Sequence, residues 1–345
     1  MFRRQYFFLV AVLLSLSACS NANRTYHDSR EFFGVAIKIT LYDVDKAIAT
    51  QAFSTLWEDF EYMHTMWHPW QPSSLGRTNQ LLALNRDFTA NISVLPLIEK
   101  SRSLSTASNY LYNPAIGKLA EIWGFQGDTA PTGPPPAAEH IQSLVSQNPT
   151  LNDIELHGVR MKGTNPALKL DFGTLAKGLA MDRAMITLQQ LGIQHALIRA
   201  GDDVKVMGKR NELPWQVAIP DPRDTTLLAN LKLYDGESVF SSSEYERYFE
   251  YNGKRYHHIL DPRTGYPAED TMLVTVIHAD AATAAAATTA LFVAGPSGWY
   301  GIAKRMQISH VMLIDKQGRI HMTPPMTTRI QFSRQPEQIE VSPPL

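Results

Sequence analysis

The stretch LKLDFGTLAKGLAMD (residues 168–182) decides how the chain is expected to fold. Its first part alternates apolar and polar side chains and predicts a strand over residues 167–172, which ends at Gly173. Apolar residues then recur at helical spacing and predict a helix from Leu175 to Leu191. A strand, a glycine turn and a helix therefore follow one another directly, and the other elements are read outward from this unit.

The start of this predicted helix carries the first chemical signal. The first N–H groups of a helix have no partner within it and carry partial positive charge. Lys177 lies near that end and adds a full charge. Together these groups favour an anionic guest such as phosphate. A solvated lysine after an ordinary glycine turn is the alternative that this pattern leaves open.

A second stretch, HHILDPRTG (residues 257–265), combines two histidines with a turn. Adjacent residues of a strand point to opposite faces, so only one of His257 and His258 can enter a given site, and the pair does not indicate zinc. Asp261 is a candidate to orient an imidazole, and Arg263 is a candidate to hold a carboxylate or phosphate. Two structural histidines are the alternative interpretation.

The remaining pattern predicts an α+β fold. Hairpin-like strands and helix-linked strands alternate along the chain, which indicates one domain with mixed or antiparallel sheets and packed helices. The proline-rich segment 129–136 is expected to be a surface loop within that domain. Further strands are predicted at residues 33–42, 195–199, 215–219, 239–241, 257–260, 273–278 and 310–314, and further helices at residues 45–66 and 281–292.

Composition excludes several classes of protein. The chain has 345 residues with 32 basic and 33 acidic side chains, and the formal net charge is −1. No overall positive field attracts nucleic acid, so nucleic-acid binding is not expected. The single cysteine excludes an internal disulfide and leaves no cysteine-based zinc site.

That cysteine lies in an N-terminal pattern that predicts export. Arg3 and Arg4 precede an apolar run over residues 7–16, and LSAC (residues 16–19) resembles a bacterial lipobox. We expect Cys19 to be lipidated and to hold the protein at the periplasmic side of the inner membrane. An ordinary signal peptide is the alternative.

These features divide the chain into four expected parts. No segment after the apolar run is long enough to span a membrane. The parts are a lipoprotein signal peptide over residues 1–18, a lipidated N-terminus and tether over residues 19–30, a folded domain over residues 31–333 and a C-terminal tail over residues 334–345.

The motifs together resemble the FAD:protein FMN transferases, also called the ApbE flavin transferases. The resemblance runs from about Phe33 to about Ile314. It implies a single ApbE-like domain that binds FAD in an elongated cleft and uses Mg²⁺ to transfer FMN to a threonine of an acceptor protein, releasing AMP. The family's landmarks occur in order as Phe33-Gly34-Val35, Trp70-Gln71-Pro72 through Asn79, Leu111 to Gly117 with Trp123-Gly124-Phe125, Asp171-Phe172-Gly173 with Ala176-Lys177-Gly178, His258 to Gly265 and Thr289 to Val293.

The resemblance also implies roles for individual residues. Its catalytic residues correspond to His258, Asp171 and Arg263. Its Mg²⁺ ligands correspond to the Thr289 hydroxyl and the Thr174 backbone carbonyl. The implied acceptor is a flavoprotein subunit of an exported or membrane redox complex. The family's flavin contacts correspond to Phe33, Trp70, Leu111, Tyr112, Asn113, Lys177 and Ile259.

Several positions depart from the family pattern. Asp202 takes the place of a glycine, residues 241–243 read Ser-Ser-Ser in place of Thr-Ser-Gly, and Thr174 replaces a glycine or alanine. The largest departure is Ala285, which stands where the family has its Mg²⁺-binding aspartate. An alanine side chain has no oxygen with which to coordinate Mg²⁺.

Other acids are candidates for the missing ligand. Asp280 is rotated by about 140° from Ala285 if both lie on one helix, and only an N-cap position would change that orientation. Asp202 or Asp203 is the alternative, from across the cleft. Two hypotheses follow: an active flavin transferase with a rebuilt metal site, and an FAD-binding periplasmic lipoprotein with little or no transferase activity. A generic solute-binding lipoprotein would lack the Lys177 helix start and the histidine turn.

Overall fold

A computed structural model describes residues 24–127, 131–224 and 226–345. Cys19 and the expected signal peptide lie outside these residues, so the lipid anchor stays a prediction. None of the helices in the described ranges has the length and apolar character needed to cross a membrane. The helices are α1 Lys46–Trp67, α2 Ser74–Leu82, α3 Leu95–Ala107, α4 Gly117–Ile122, α5 Ala138–Ser146, α6 Gly173–Gln190, α7 Ala281–Met306 and α8 Pro324–Thr327.

A nine-stranded sheet forms the centre of the fold, in the order β1-β2-β6-β7-β10-β13-β14-β15-β17. Its neighbours are antiparallel except for β15 and β17, which are parallel. Smaller sheets have the orders β16-β9-β8, β3-β5-β4 and β11-β12. The predicted α+β class is confirmed. The strands are β1 Thr25–Phe32, β2 Val35–Tyr42, β3 Phe88–Thr89, β4 Ile154–His157, β5 Arg160–Gly163, β6 His195–Ala200, β7 Asp203–Met207, β8 Trp215–Pro220, β9 Leu227–Leu233, β10 Ser238–Ser243, β11 Tyr248–Tyr251, β12 Lys254–His257, β13 Thr271–His278, β14 His310–Asp315, β15 Ile320–Met322, β16 Ile330–Phe332 and β17 Ile339–Val341.

The middle strands of the central sheet are buried on both faces. Helices α1, α3, α6 and α7 pack with the side chains of Ile37, Ile39 and Leu41, which alternate along β2 and have no exposed surface. On the other face, Trp215 and Val217 belong to a core cluster shared by the β16-β9-β8 sheet and the central sheet. Burial of these apolar side chains is the main favourable contribution to folding.

Helices α6 and α7 are held against each other at one close contact. A Cβ atom on Gly178 would lie 2.6 Å from the carbonyl oxygen of Ala281, so only glycine fits there. Asp182 on α6 also accepts hydrogen bonds from the backbone N–H groups of Ala281 and Ala282, at 3.1 and 3.2 Å. These contacts fix the start of α7, which extends beyond the predicted residue 292 to Met306, with a break at Gly295.

The ends of the domain differ from the prediction. Residues 25–30, expected as a tether, belong to β1 and pair with β2 along their whole length. Their polar composition is that of an edge strand with exposed side chains. The strand predicted over 33–42 begins only at Val35, because Phe33 and Gly34 both have positive φ and form the turn between β1 and β2. Within the expected C-terminal tail, residues 339–341 form β17 beside β15.

Two predicted strands near the cleft are also corrected. Residues 167–172 form no regular strand because their partners are a loop and a side chain: Lys169 N donates to Ala115 O at 3.2 Å, and Leu170 N donates to Asn79 Oδ1 at 2.7 Å. The strand predicted over 257–260 ends at His257. His258 therefore lies just beyond a strand.

Candidate active site

The start of α6, the segment 111–117, β10 and the residues after β12 enclose a cavity of about 160 Å³, here called the inner cavity. It collects residues from five parts of the sequence. Many of the site residues predicted from the sequence line this cavity. They are Leu111, Tyr112, Asn113, Asp171, Thr174, Lys177, His258, Ile259 and Thr289.

A larger outer cavity of about 620 Å³ lies on the other side of α4. Gly117 faces the inner cavity, while the adjacent Lys118 faces the outer one. Trp70 lines the outer cavity, and the Nζ atom of Lys169 lies 4.6 Å from its ring centroid and 2.9 Å from the Glu121 carboxylate. Small-molecule sites commonly occupy roughly 300–1,000 Å³, so a nucleotide would need the outer cavity as well as the inner one.

Lys177 projects from the first turns of α6 into a buried ion pair. Its Nζ lies 2.6 Å from Asp203 Oδ2, and the two side chains are 16% and 4% exposed. Asp203 also accepts a hydrogen bond from Ser241 N at 3.0 Å. Burial opposes the charge on Lys177, but Asp203 and Glu246 outweigh it and raise the pKa of the ammonium group. The solvated-lysine alternative is therefore wrong, and a protonated amine is fixed beside the helix start.

The two histidines diverge as the strand geometry predicts. His257 is buried, with Nε2 2.8 Å from Ala268 O, whereas His258 lines the inner cavity. Nδ1 of His258 lies 3.3 Å from Arg247 O and donates to it in the tautomer that leaves Nε2 as an acceptor. Burial, followed by the positive charge of Arg247, lowers the pKa of His258 to about 3. Its imidazole is therefore neutral near pH 7.

Asp171 and Arg263 each form hydrogen bonds within the turn to which they belong, but only Asp171 lines the inner cavity. Asp171 lines the inner cavity, and its Oδ1 accepts a hydrogen bond from Gly173 N at 3.0 Å. Burial raises its pKa despite that bond. Arg263 does not belong to the inner or outer cavity lining. Its guanidinium forms a bidentate pair with Asp261, at 2.9 and 2.7 Å, so Asp261 orients this arginine rather than an imidazole.

Phe33 also lies away from these two cavities. It occupies the β1–β2 turn with a φ of 55°. Its backbone N–H donates to His64 Nδ1 at 3.2 Å, and its ring meets that of His64 edge to face. In this structure Phe33 contacts α1, and its predicted role in binding flavin stays a prediction.

Thr289 lines the inner cavity from α7, one helical turn after Ala285. The side chain of Ala285 is buried, and its carbonyl accepts a hydrogen bond from the Thr288 hydroxyl at 2.9 Å. The Thr288 hydroxyl in turn accepts a bond from Ser242 Oγ at 3.0 Å, which joins α7 to β10. The Thr289 hydroxyl makes only a long contact of 3.5 Å with the same carbonyl. It is the less engaged of the two hydroxyls.

Asp280 is not placed to replace a ligand at residue 285. It is the N-cap of α7, accepts a bond from Thr283 N and pairs with Lys100 at 2.8 Å. At roughly 1.5 Å per residue, it lies about 13 Å along the helix from Thr289. The N-cap alternative is thereby excluded. No group of three or more histidine, cysteine, aspartate or glutamate side chains in the described ranges is arranged to hold a metal ion.

Sequence reasoning missed Glu246, which lines the inner cavity from the loop between β10 and β11. Loss of hydration at the cavity wall raises its pKa to about 7, with Lys177 opposing the rise and Asp203 and Asp202 adding to it, although the side chain keeps exposed surface. No motif marks a single glutamate in a loop. Only its position beside Lys177 and Thr289 in the fold singles it out.

A cleft lined by a lysine at a helix start, a neutral histidine and several hydroxyls defines a protein that handles a phosphate-bearing ligand. Comparison with known proteins gives the family. The model of the ApbE family matches residues 33–313, and the chain belongs to this family.

Its relatives and structural neighbours agree. The FAD:protein FMN transferase of Rhodobacter capsulatus is 36% identical over 87% of this chain, although this chain covers only 57% of that protein. The FAD:protein FMN transferase of Klebsiella pneumoniae (strain 342) is 30% identical, with 90% of this chain and 95% of that protein covered. The structure resembles the ApbE protein of Thermotoga maritima, with a TM-score of 0.81, 26% identity and coverage of 90% of this chain and 100% of that chain.

Proposed function

We propose that this chain is an FAD:protein FMN transferase, which joins FMN from FAD to a threonine of an acceptor protein and releases AMP. The observation that carries the proposal is the inner cavity, where Lys177, His258 and Thr289 meet although they come from distant parts of the sequence. The names of the relatives that match most of this chain support the same activity.

The geometry suits displacement at a phosphate. The acceptor threonine oxygen forms a bond to the phosphorus of the FMN portion, the bond from that phosphorus to the AMP oxygen breaks, and AMP leaves. His258 takes the threonine proton on Nε2, in the tautomer in which Nδ1 donates to the Arg247 carbonyl. Lys177 and the backbone N–H groups at the start of α6 bind the pyrophosphate oxygens and offset their charge.

The proposal includes Mg²⁺, and the donor atoms of the inner cavity fit this ion. The polar side chains that line the cavity include the hydroxyl of Thr289 and the carboxyl groups of Asp171 and Glu246. Oxygen is the donor that Mg²⁺ prefers. The Thr289 hydroxyl and the Thr174 carbonyl would hold the ion, and its charge would stabilise the phosphoryl oxygens during displacement.

The acceptor and the cellular location complete the proposal. The acceptor is a flavoprotein subunit of an exported or membrane redox complex. Residues 1–18 are the signal peptide, and lipidated Cys19 anchors the protein at the periplasmic side of the inner membrane. Mass spectrometry of the mature protein from membranes tests the anchor, since a lipid-modified Cys19 would become its N-terminal residue. An unmodified N-terminus at another residue would contradict it.

A direct assay tests the activity. The full chain in detergent is incubated with FAD, Mg²⁺ and a threonine-bearing acceptor domain, and AMP release and acceptor mass are measured together. We expect an acceptor mass increase equal to one FMN and an equal amount of AMP. FAD binding without AMP release or adduct would instead favour the alternative, a flavin-binding protein without transferase activity, which rests on the alanine at position 285.

A further inference from the structure

The inner cavity has no carboxylate at position 285 of α7, but it has one at Glu246 in the loop after β10. Residue 285 on α7 is a buried alanine, so no side-chain oxygen reaches the cavity one turn before Thr289. Of the described carboxylic acids, Asp171 and Glu246 line the inner cavity. A carboxylate ligand for Mg²⁺ in this cavity must therefore come from one of these two residues or from an acid that lies next to the cavity lining.

The other acids near the cavity are already engaged. Asp171 accepts the Gly173 N–H at 3.0 Å and so holds the turn into α6. Asp203 pairs with Lys177 at 2.6 Å and accepts the Ser241 N–H. Asp202 bonds to the Tyr245 hydroxyl and does not line the cavity.

Glu246 differs from these acids. Among the ion pairs within 4 Å in the described ranges, none involves its carboxylate. It lies in the loop that follows β10, and β10 is bonded to α7 through Ser242 and Thr288. This loop brings its carboxyl group to the cavity that Thr174 and Thr289 also line.

Glu246 has a polar neighbour close to it in sequence. Ser243 has no exposed surface, and its hydroxyl is a side-chain hydrogen-bond partner of both Tyr245 and Glu246. A carboxylate has two oxygens and about four acceptor sites, so a hydrogen bond from a hydroxyl does not fill its capacity. The contact with Ser243 therefore leaves the Glu246 carboxylate able to bind a cation.

We propose that Glu246 supplies the carboxylate ligand that Ala285 lacks, so that Mg²⁺ is held by Glu246, Thr289 and the Thr174 carbonyl together with water and substrate phosphate. This inference rests on the proposed function. It places the acid on the loop after β10 instead of on α7.

Mn²⁺ serves as a spectroscopic probe that does not depend on turnover. Mn²⁺ is titrated into the full chain in detergent with FAD and without acceptor, and free Mn²⁺ is followed by electron paramagnetic resonance. We expect Glu246→Gln to weaken Mn²⁺ binding by about tenfold or more, because it removes a charged ligand. The control is Glu250→Gln on β11, whose carboxylate pairs with Arg255 at 3.2 Å and which should bind Mn²⁺ as the unchanged chain does.

Two further variants keep the test decisive. Ala285→Asp in the Glu246→Gln background should restore Mn²⁺ affinity, since it returns the acid to α7. Glu246→Asp retains the charge and should lie between the unchanged chain and Glu246→Gln if the glutamine variant folds poorly. Equal Mn²⁺ affinity in the unchanged chain and Glu246→Gln, with both folded as judged by circular dichroism, overturns the assignment of Glu246.

The FAD titration separates this inference from the proposed function. Coupling is reciprocal, so Mn²⁺ should tighten FAD binding to the unchanged chain and should lose that effect in Glu246→Gln. If AMP is released and the acceptor gains FMN while Mn²⁺ affinity does not depend on residue 246, the function stands and this inference fails. If the chain neither binds FAD nor releases AMP, the proposed function fails, and the inference fails with it.

Discussion

Lys177 Nζ lies 2.6 Å from Asp203 Oδ2, and both side chains are largely withdrawn from solvent. The pair joins the start of α6 to the first residue of β7 at the wall of the inner cavity. Two opposite charges in such a place stabilise each other, and each becomes costly when the other is removed. The cation that would bind phosphate is therefore also part of the structure.

Lys177→Met should consequently affect both stability and binding. It leaves Asp203 buried without its ion partner, and we expect the free energy of unfolding to fall by about 3 kcal/mol. Urea denaturation followed by circular dichroism measures the loss, and flavin fluorescence measures the accompanying drop in FAD affinity. Lys209→Met is the control, because that lysine forms an exposed pair with Glu212 and should change stability little. A variant as stable as the unchanged chain would contradict a structural role for the pair.

His258→Ala should lower turnover far more than FAD affinity. A general base contributes roughly 10²- to 10⁴-fold to the rate, so we expect a loss of kcat in that range with an FAD dissociation constant changed only a few-fold. AMP release under saturating FAD measures the first and fluorescence titration the second. His140→Ala, an exposed histidine on α5, is the matched control. Equal losses of kcat and of FAD affinity would indicate a binding role instead.

The pH dependence of stability gives an independent test of the same histidine. Folding lowers the pKa of His258 from 6.5 to about 3, so the folded chain holds the neutral ring where the unfolded chain binds a proton. Stability is therefore lost progressively as the pH falls from about 6.5 toward about 3. His258→Ala should flatten this part of the curve, measured by urea denaturation at several pH values. A curve with the same slope as the unchanged chain would contradict the lowered pKa of His258.

Gly178→Ala should disturb the contact between α6 and α7. The new Cβ would lie 2.6 Å from the Ala281 carbonyl oxygen, and backbone cannot move aside as a flexible side chain does. We expect a loss of about 1–3 kcal/mol and lower FAD affinity, because Lys177 and Thr289 are carried by the two helices that separate. Gly301→Ala on α7 has open space around the new methyl group and should be neutral or slightly stabilising. The two variants are compared by thermal unfolding.

Trp70→Ala tests the outer cavity. If a flat ring of FAD stacks on Trp70, its removal should raise the FAD dissociation constant by roughly tenfold, in line with about 1–3 kcal/mol for a base stacked on an aromatic side chain. Trp70→Phe keeps a ring and should recover most of the affinity. Equilibrium dialysis gives the constants without relying on tryptophan fluorescence. An alanine variant with unchanged affinity would place the flavin nucleotide away from the outer cavity.

Local chemistry explains which parts of the site the sequence predicts. The glycine turn and the helical spacing predict a helix from Leu175 with the charge of Lys177 near its start, and the structure begins this helix two residues earlier, at Gly173. The divergence of His257 and His258 follows from the two-residue repeat of a strand. The irregular partners of residues 167–172 were not predicted, because Asn79 is 91 positions from Leu170 and no local pattern links them. The engagement of Arg263 with Asp261 was missed because the turn allows a pairing that spacing alone does not specify.

The sequence by itself determined the α+β class, the helix that follows the turn at Gly173, the family resemblance and the missing acid at Ala285, because each depends on residue type and local spacing. Only the tertiary structure decided that Asp280 caps α7 about 13 Å from Thr289, that Asp203 belongs to Lys177, and that Glu246 faces the inner cavity. The physical reason is that coordination and ion pairing depend on distances of a few ångströms between side chains. Those distances depend on how the β10–β11 loop and α7 pack in the folded chain. They cannot be read from the order of residues in the sequence.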